Sequence, residues 1–500
     1  MRRTLYQIRR QFNAAKFRGA STSCFITAAL AVSLILPPQS AQADTALPVL
    51  TDSTSSTLSL EDEYRLGRSW VRTLRGQAKL LNDTVVKQYL HDLLWQIAAN
   101  SQLSDRRLEL VVLDNENLNA FAVPGGVIGI NAGLIMAAES EAETASVIAH
   151  ELAHLSQRHY AQRLEESRKN RPLMLAGVLA SILLASADGQ AGTAALTSTL
   201  AGSASAQLAF SRRNEQEADR IGMQTLLASG YDPYAMPGMF SRLQKSYRFA
   251  GQRTPEFLLT HPVTESRIAD SLNRAATLPK PSALHEGFIY DLVRQRLRVH
   301  YSQNLGQLHE QFNDDVKQEG KPKDYFGALL TAIALNKPKE ARSALKALPN
   351  NWRQHPYVRL SELDLLLSEG DTPKALSLAE ELVALYPDSM PVRYRYALTA
   401  RQAGQYQKAV NVLRELTQDF PNDVDFWFQL AETEGLNGQI NAVHLARIQY
   451  FMLTGQMDLA LRQVEFARRE RNLSHIDQAR LDQKEQEIKA VRREMKDTLS

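Results

Sequence analysis

Glycines at positions 370, 404 and 438 stand 34 residues apart, and the same interval separates Ala375 from Ala409 and Pro387 from Pro421. That period leaves a chain few options. It holds two helices and their turns but no independent core. One helix pair cannot bury its apolar face alone, so neighbouring pairs stack into a superhelix. The small residues are read as helix contacts, and proline after Tyr386 and Phe420 ends one unit before the next helix. Clear units are expected over 357–387, 388–421 and 422–455, with weaker ones over 323–356 and 456–490. From Gln478 to Lys496 the chain is rich in Glu, Gln, Lys and Arg and reads as a polar cap. Tyr394, Tyr396, Tyr406, Trp427 and Phe428 are read as repeat core.

The chemistry lies upstream of the array. His150-Glu151-Leu152-Ala153-His154 has the pattern H-E-x-x-H. On a helix the two histidines share a face and can reach one zinc ion. Glu151, beside the first of them, can take a proton from metal-bound water. Ala145, Val147, Ile148, Leu152, Ala153 and Leu155 surround the motif with the apolar character of a core helix, and Ser140-Glu141-Ala142-Glu143 is a helix start signal. A third ligand is expected in Ser211 to Asp219, where Glu215 and Asp219 lie one turn apart. One acid can bind zinc while the other hydrogen-bonds a ligand histidine. Spacing alone does not choose between Glu215 and Glu217. His159, five residues past His154, falls off the ligand face and is read as structural.

Upstream, Leu108 to Val112 alternates as a half-buried strand, and Val127 to Ile130 is a candidate hairpin partner after the Gly125-Gly126 turn. If that second strand is an edge, it can pair with an extended substrate.

The H-E-x-x-H motif followed by Glu215-Gln216-Glu217-Ala218-Asp219 resembles the M48 family of metallopeptidases, a gluzincin group. Asn119 to Gly126 is similar to the family's N-A-F-A-x-P-G-G strand and turn, and Thr260-His261-Pro262 with Arg267-Ile268 to its T-H-P…R-I segment. The resemblance covers roughly residues 60–275. It implies one zinc ion on His150, His154 and Glu215, with Glu151 as general base and Asp219 as hydrogen-bond partner of His150. His261 has two readings: a donor to the tetrahedral oxyanion, or a ligand in the open coordination position that holds the enzyme latent. The repeat array likewise resembles tetratricopeptide repeats.

The N-terminus reads as an export signal. Arg2, Arg3, Arg9, Arg10, Lys16 and Arg18 precede an apolar run over 24–36, and Ala41-Gln42-Ala43 fits a cleavage site. Its removal takes six positive charges, moving the formal net charge from +3 to −3, so the sequence offers no nucleic-acid signal. It also removes Cys24, the single cysteine, which suits an oxidising compartment. Leu173 to Ala187 is too short for a comfortable membrane span. With Gly192 to Phe210 it is read as a lid over the site or as a plain helical hairpin, and no stable transmembrane segment is expected in the mature chain.

The expected architecture is mainly α: a gluzincin-type metalloprotease domain with a small β-sheet, then an α-helical repeat solenoid. The expected boundaries are 1–43 for the signal, 44–275 for the protease, 276–322 for a helical connector and 323–500 for the array. In that order these parts resemble the periplasmic M48 peptidases of Gram-negative bacteria that act on outer-membrane β-barrel proteins. The resemblance alone implies the clients, namely unfolded or stalled barrels, and a barrel-assembly machinery met through the array. It implies a zinc endopeptidase that degrades misassembled barrels and supports assembly. The alternative is a periplasmic chaperone or scaffold whose protease site is normally latent.

Overall fold

The computed structural model describes residues 58–162, 211–249, 256–281, 287–471 and 473–499. The export signal and the 173–210 segment lie outside them. Helix α1 (Leu60–Gln77) starts at Ser59, whose hydroxyl accepts from the Asp62 N–H, and Glu61, Asp62 and Glu63 place negative charge at its N-terminal dipole. Helix α2 (Thr84–Ala99) is capped by Asp83. Three strands follow, β1 (Glu109–Leu113), β2 (Ala120–Val123) and β3 (Val127–Asn131), and then a short helix α3 (Gly133–Ala137).

The sheet order is β1-β3-β2, with β1 parallel and β2 antiparallel to β3. This corrects the expected hairpin. Gly125 and Gly126, at φ +81° and +77°, turn the chain from β2 into β3, and β1 reaches β3 only by a crossover. Residues joined by so tight a turn must run antiparallel, so β2 takes the hairpin place and β3 becomes central. The outer side of β1 is covered by Leu81, whose N–H donates to Val112 O at 3.0 Å. Among the described residues, β2 is therefore the strand whose outer edge is left without a strand partner.

Helix α4 (Glu141–Ser156) lies against β2 and is capped by Ser140, which accepts from the Glu143 N–H at 3.3 Å. Helix α5 (Arg212–Ala228) packs along α4. Its Gly222 makes the approach possible: a Cβ there would stand 3.1 Å from Ala149 O and the His150 Cα. Helices α6 (Ala235–Phe249), α7 (Glu256–Thr260) and α8 (Glu265–Thr277) complete the layer around α4 and α5.

Beyond residue 287 the chain is helical hairpins. The segment read as one helical connector holds two helices, Phe288–Tyr301 and Leu305–Gln318, because Ser302 leaves the helix and Asn304 caps a new one. The repeat pairs are Pro356–Ser368 with Thr372–Leu385, Met390–Gln402 with Tyr406–Asp419, and Val424–Leu436 with Ile440–Leu453. The periodic glycines do not serve close approach. A Cβ on Gly370, Gly404 or Gly438 would meet nothing within 4 Å, but each sits at positive φ, between +74° and +79°, and ends the first helix of its pair. The close contacts belong to Ala375 and Ala409, both fully buried.

The array folds back on the N-terminal half. Its Asn422 donates to Glu109 Oε2 at 2.9 Å, a carboxylate also held by Arg68 and Arg75, and Asp423 pairs with Lys87 of α2. The C-terminal helix His475–Leu499, read as a polar cap, buries Leu481 and Ile488 and also lies along α1.

Two predictions follow from this packing. Gly404→Ala destabilises by roughly 1–2 kcal/mol, because alanine is strained at positive φ. Ala409→Leu, which overfills a helix contact, costs about 1–3 kcal/mol. Urea unfolding of both variants beside wild type checks the two losses. His355 caps the helix at Pro356 by accepting from the Tyr357 N–H, and burial pushes its pKa down to about 4. The unfolded chain binds this proton near pH 6.5 while the native state resists until about 4, so its contribution to stability falls as pH drops through that window. His355→Asn keeps a cap without titrating, and its urea midpoint declines less between pH 6.5 and 4 than that of wild type.

Candidate active site

Three elements deliver the polar groups into a buried space. Helix α4 presents His150, Glu151 and His154, each 1% exposed. Helix α5 presents Glu215 and Asp219 from its first two turns, both buried. The turn after α7 brings His261, whose N–H donates to Phe257 O and whose ring stacks on Phe257 at 4.8 Å.

The donor atoms converge. His150 Nε2 and His154 Nε2 are 3.1 Å apart, and Glu215 oxygens lie 3.7 and 3.4 Å from them. His261 Nδ1 is 3.1 Å from Glu215 Oε1 and 3.4 Å from His150 Nε2. One donor atom from each of these four residues falls within 4.8 Å of the others. A tetrahedral ion with bonds of about 2.05 Å separates its ligand atoms by roughly 3.3 Å. Buried imidazoles and a carboxylate at these separations fit a zinc ion.

All six residues anticipated from sequence are brought together. His150 Nδ1 lies 3.1 Å from Asp219 Oδ1. Glu217, the alternative by spacing, points away: its side chain is 42% exposed and lies 3.4 Å from His159 Nε2.

Two residues carry more than the sequence reading gave them. Arg267 donates from Nε and Nη2 to the two oxygens of Asp219 at 2.7 and 2.6 Å. Its Nη1 lies 2.7 Å from Glu215 Oε2 and donates to Pro262 O at 2.8 Å. The arginine was visible as a motif letter, but nothing local said which acids it would meet. His159 is fully buried with Nδ1 3.0 Å from His154 Nδ1. Helical spacing put it off the face, but α4 ends at Ser156 and Arg158, at φ +53°, turns the chain so that the ring comes back.

Burial pushes the Glu151 carboxyl up to about 8, opposed by His150 and reinforced by Glu215, while the Ala122 N–H of β2 stabilises its charge. Glu151 Oε1 has no hydrogen-bond partner among the described residues. Burial also drives His154 well below the usual imidazole range, aided by the neighbouring rings. Burial alone would raise Glu215, but His261 and Arg267 outweigh it and hold the carboxyl low. Asp219 follows the same pattern through His150 and Arg267. The site thus favours two ionised carboxylates and a neutral His154.

Comparison with known proteins agrees with this geometry. Residues 85–275 match Peptidase family M48, and residues 366–432 match a tetratricopeptide repeat family. Over 481 residues the chain is 34% identical to the beta-barrel assembly-enhancing protease of Escherichia coli strain K12, covering 94% of this chain and 96% of that protein. The chain belongs to peptidase family M48. The Yersinia pestis beta-barrel assembly-enhancing protease is 31% identical over 87% of this chain and 90% of its own length. A mitochondrial metalloendopeptidase, OMA1 of Arabidopsis thaliana, is 33% identical over 34% of this chain and 32% of its own length. M48 peptidases are zinc-dependent, and this chain is a zinc metalloendopeptidase followed by a repeat array that supports protein–protein contact. No helix among the described residues is long and apolar enough to cross a membrane.

Arg267→Ala leaves two buried carboxylates without their cation and destabilises the protease by about 3–5 kcal/mol. Arg267→Lys recovers part of this, because a point charge cannot hold Asp219 through two parallel bonds. Thermal melts of the three proteins, run at one fixed zinc concentration, give the order wild type, Lys, Ala.

Proposed function

We propose that His150, His154 and Glu215 hold the zinc, that Glu151 is the general base, and that His261 occupies the fourth position and keeps the resting enzyme latent. The observation that carries the reading is the place of His261. Its Nδ1 keeps ligand-like separations from Glu215 and His150, while its Nε2 lies 3.6 Å from Glu151 Oε1. One ring thus lies against both the residues that would hold the metal and the proposed base.

Zinc, when bound, supplies a Lewis acid that polarises the scissile carbonyl and acidifies water. The chain does the rest. Glu151 takes the water's proton and passes it to the departing amine, in the manner of a general base turned general acid. Asp219, pinned by Arg267, keeps the His150 ring oriented through Nδ1. The outer edge of β2 offers its backbone to an extended substrate, beside the base that its own Ala122 N–H stabilises. Pairing through main-chain groups makes small demands on substrate sequence, which suits cleavage of unfolded segments.

The clients we propose are unfolded or stalled outer-membrane β-barrel proteins in the periplasm of a Gram-negative bacterium, met through the array together with the barrel-assembly machinery. Support comes from relatives named as beta-barrel assembly-enhancing proteases that align along nearly their whole length. The proposed division is signal 1–43, protease 44–275, connector 276–322 and array 323–500. A chaperone or scaffold role with the protease held closed is the second reading, favoured by the same His261.

The test is metal content and casein cleavage by wild type, Glu151→Gln and His261→Ala. Stoichiometric zinc, a loss of about 10²–10⁴-fold in Glu151→Gln and a rise in His261→Ala support a latent protease. Loss in His261→Ala makes that histidine catalytic; no zinc in folded protein removes the enzyme reading. Full rescue of a deletion strain by Glu151→Gln favours the scaffold.

A further inference from the structure

We infer that His159 is a positioning residue for the zinc site, holding His154 in the tautomer that turns the Nε2 lone pair toward the metal. The inference rests on the proposed ligand set of His150, His154 and Glu215.

Its basis is proton accounting in a dry space. The His159 ring stands edge-on to His154 at 4.9 Å between centroids, with the two Nδ1 atoms 3.0 Å apart. Two neutral imidazole nitrogens at that distance share one proton, so one donates and the other accepts. If His159 Nδ1 donated, the proton of His154 would sit on Nε2, facing His150 and Glu215 at 3.1 and 3.4 Å and blocking a metal bond. With the roles reversed, His154 donates from Nδ1 and turns its Nε2 lone pair toward His150 and Glu215, where the metal would sit. The remaining proton of His159 then lies on Nε2, toward Glu217 Oε2 at 3.4 Å. Only this arrangement suits both the ligand and the acid behind it.

The fold fixes the ring. Arg158 at φ +53° makes the reversal that returns His159 to the site, and its Nε donates to Glu63 Oε1 of α1 at 2.8 Å. The two ligand histidines are therefore supported differently. His150 leans on Asp219, an anion locked by Arg267, and His154 leans on a neutral ring backed by a half-exposed acid. A neutral acceptor orients His154 without adding a third negative charge to a space that already contains Glu215 and Asp219.

The test compares His159→Leu, His159→Asn and Glu217→Ala in the full chain, reading zinc affinity by chelator competition and kcat and KM at saturating zinc. Asparagine places an acceptor oxygen where Nδ1 stands; leucine fills the space without one. The expected result is a zinc Kd raised about 10–100-fold in His159→Leu, with kcat lowered and KM little changed. His159→Asn stays close to wild type. Equal zinc affinity in the leucine and asparagine variants overturns the inference, because it leaves only packing. Should His159→Leu fail to fold by circular dichroism, Glu217→Ala decides from the helix surface: weakened zinc binding supports the relay and unchanged binding overturns it. Wild type that binds no zinc fails differently, by removing the ligand set and the inference with it.

Discussion

Arg267 is the interaction on which the site depends. It is a buried guanidinium in contact with two buried carboxylates, and it joins α8 to two successive turns of α5. Without it, two negative charges would face each other in a space with little water, and one would take up a proton or leave. With it, Glu215 and Asp219 are both held as carboxylates, and Asp219 Oδ1 stands 3.1 Å from His150 Nδ1. Its ring neighbour Phe240, 4.8 Å from the guanidinium, closes the pocket on the other side. The H-E-x-x-H motif carries two histidines and Glu151 into the site, but this cation keeps the acids beside them charged.

Much of this was legible because helices repeat every 3.6 residues. His150 and His154 share a face of α4, and Glu215 and Asp219 share a face of α5, so spacing alone grouped each pair. What joins the two faces is Gly222, a contact between helices far apart in sequence that no period records. The departures also have local causes. His159 stays outside the ligand group, as its spacing indicated, but its ring returns to His154 because the helix stops at Ser156 and a left-handed residue follows. The sheet was misjudged because a turn fixes only the two strands it joins, while β1 finds β3 by a long-range choice. The 34-residue glycines were seen correctly as a period but given the wrong physical reason: they serve backbone conformation, and the buried alanines serve packing.

The edge strand and His261 both reach Glu151. An exposed β edge is an open invitation to pair, and proteins generally restrict such edges. Here all four residues of the edge strand are buried, and its Ala122 N–H is turned to Glu151. Under the proposed latency, backbone pairing with little side-chain discrimination is tolerable, because the proposed reacting groups behind the edge are not continuously available.

A free solenoid frays from its ends, since each repeat touches only its neighbours. This one has lost that freedom. Its last helix lies along α1, where Leu499 joins the cluster around Trp70, and its middle is pinned at Asn422 and Asp423 to β1 and α2. The terminal repeat therefore cannot melt without uncovering the protease's first helix. Strain applied to the array, for example by a tethered client pulling on it, is delivered to the catalytic domain instead of being absorbed by the superhelix's own elasticity.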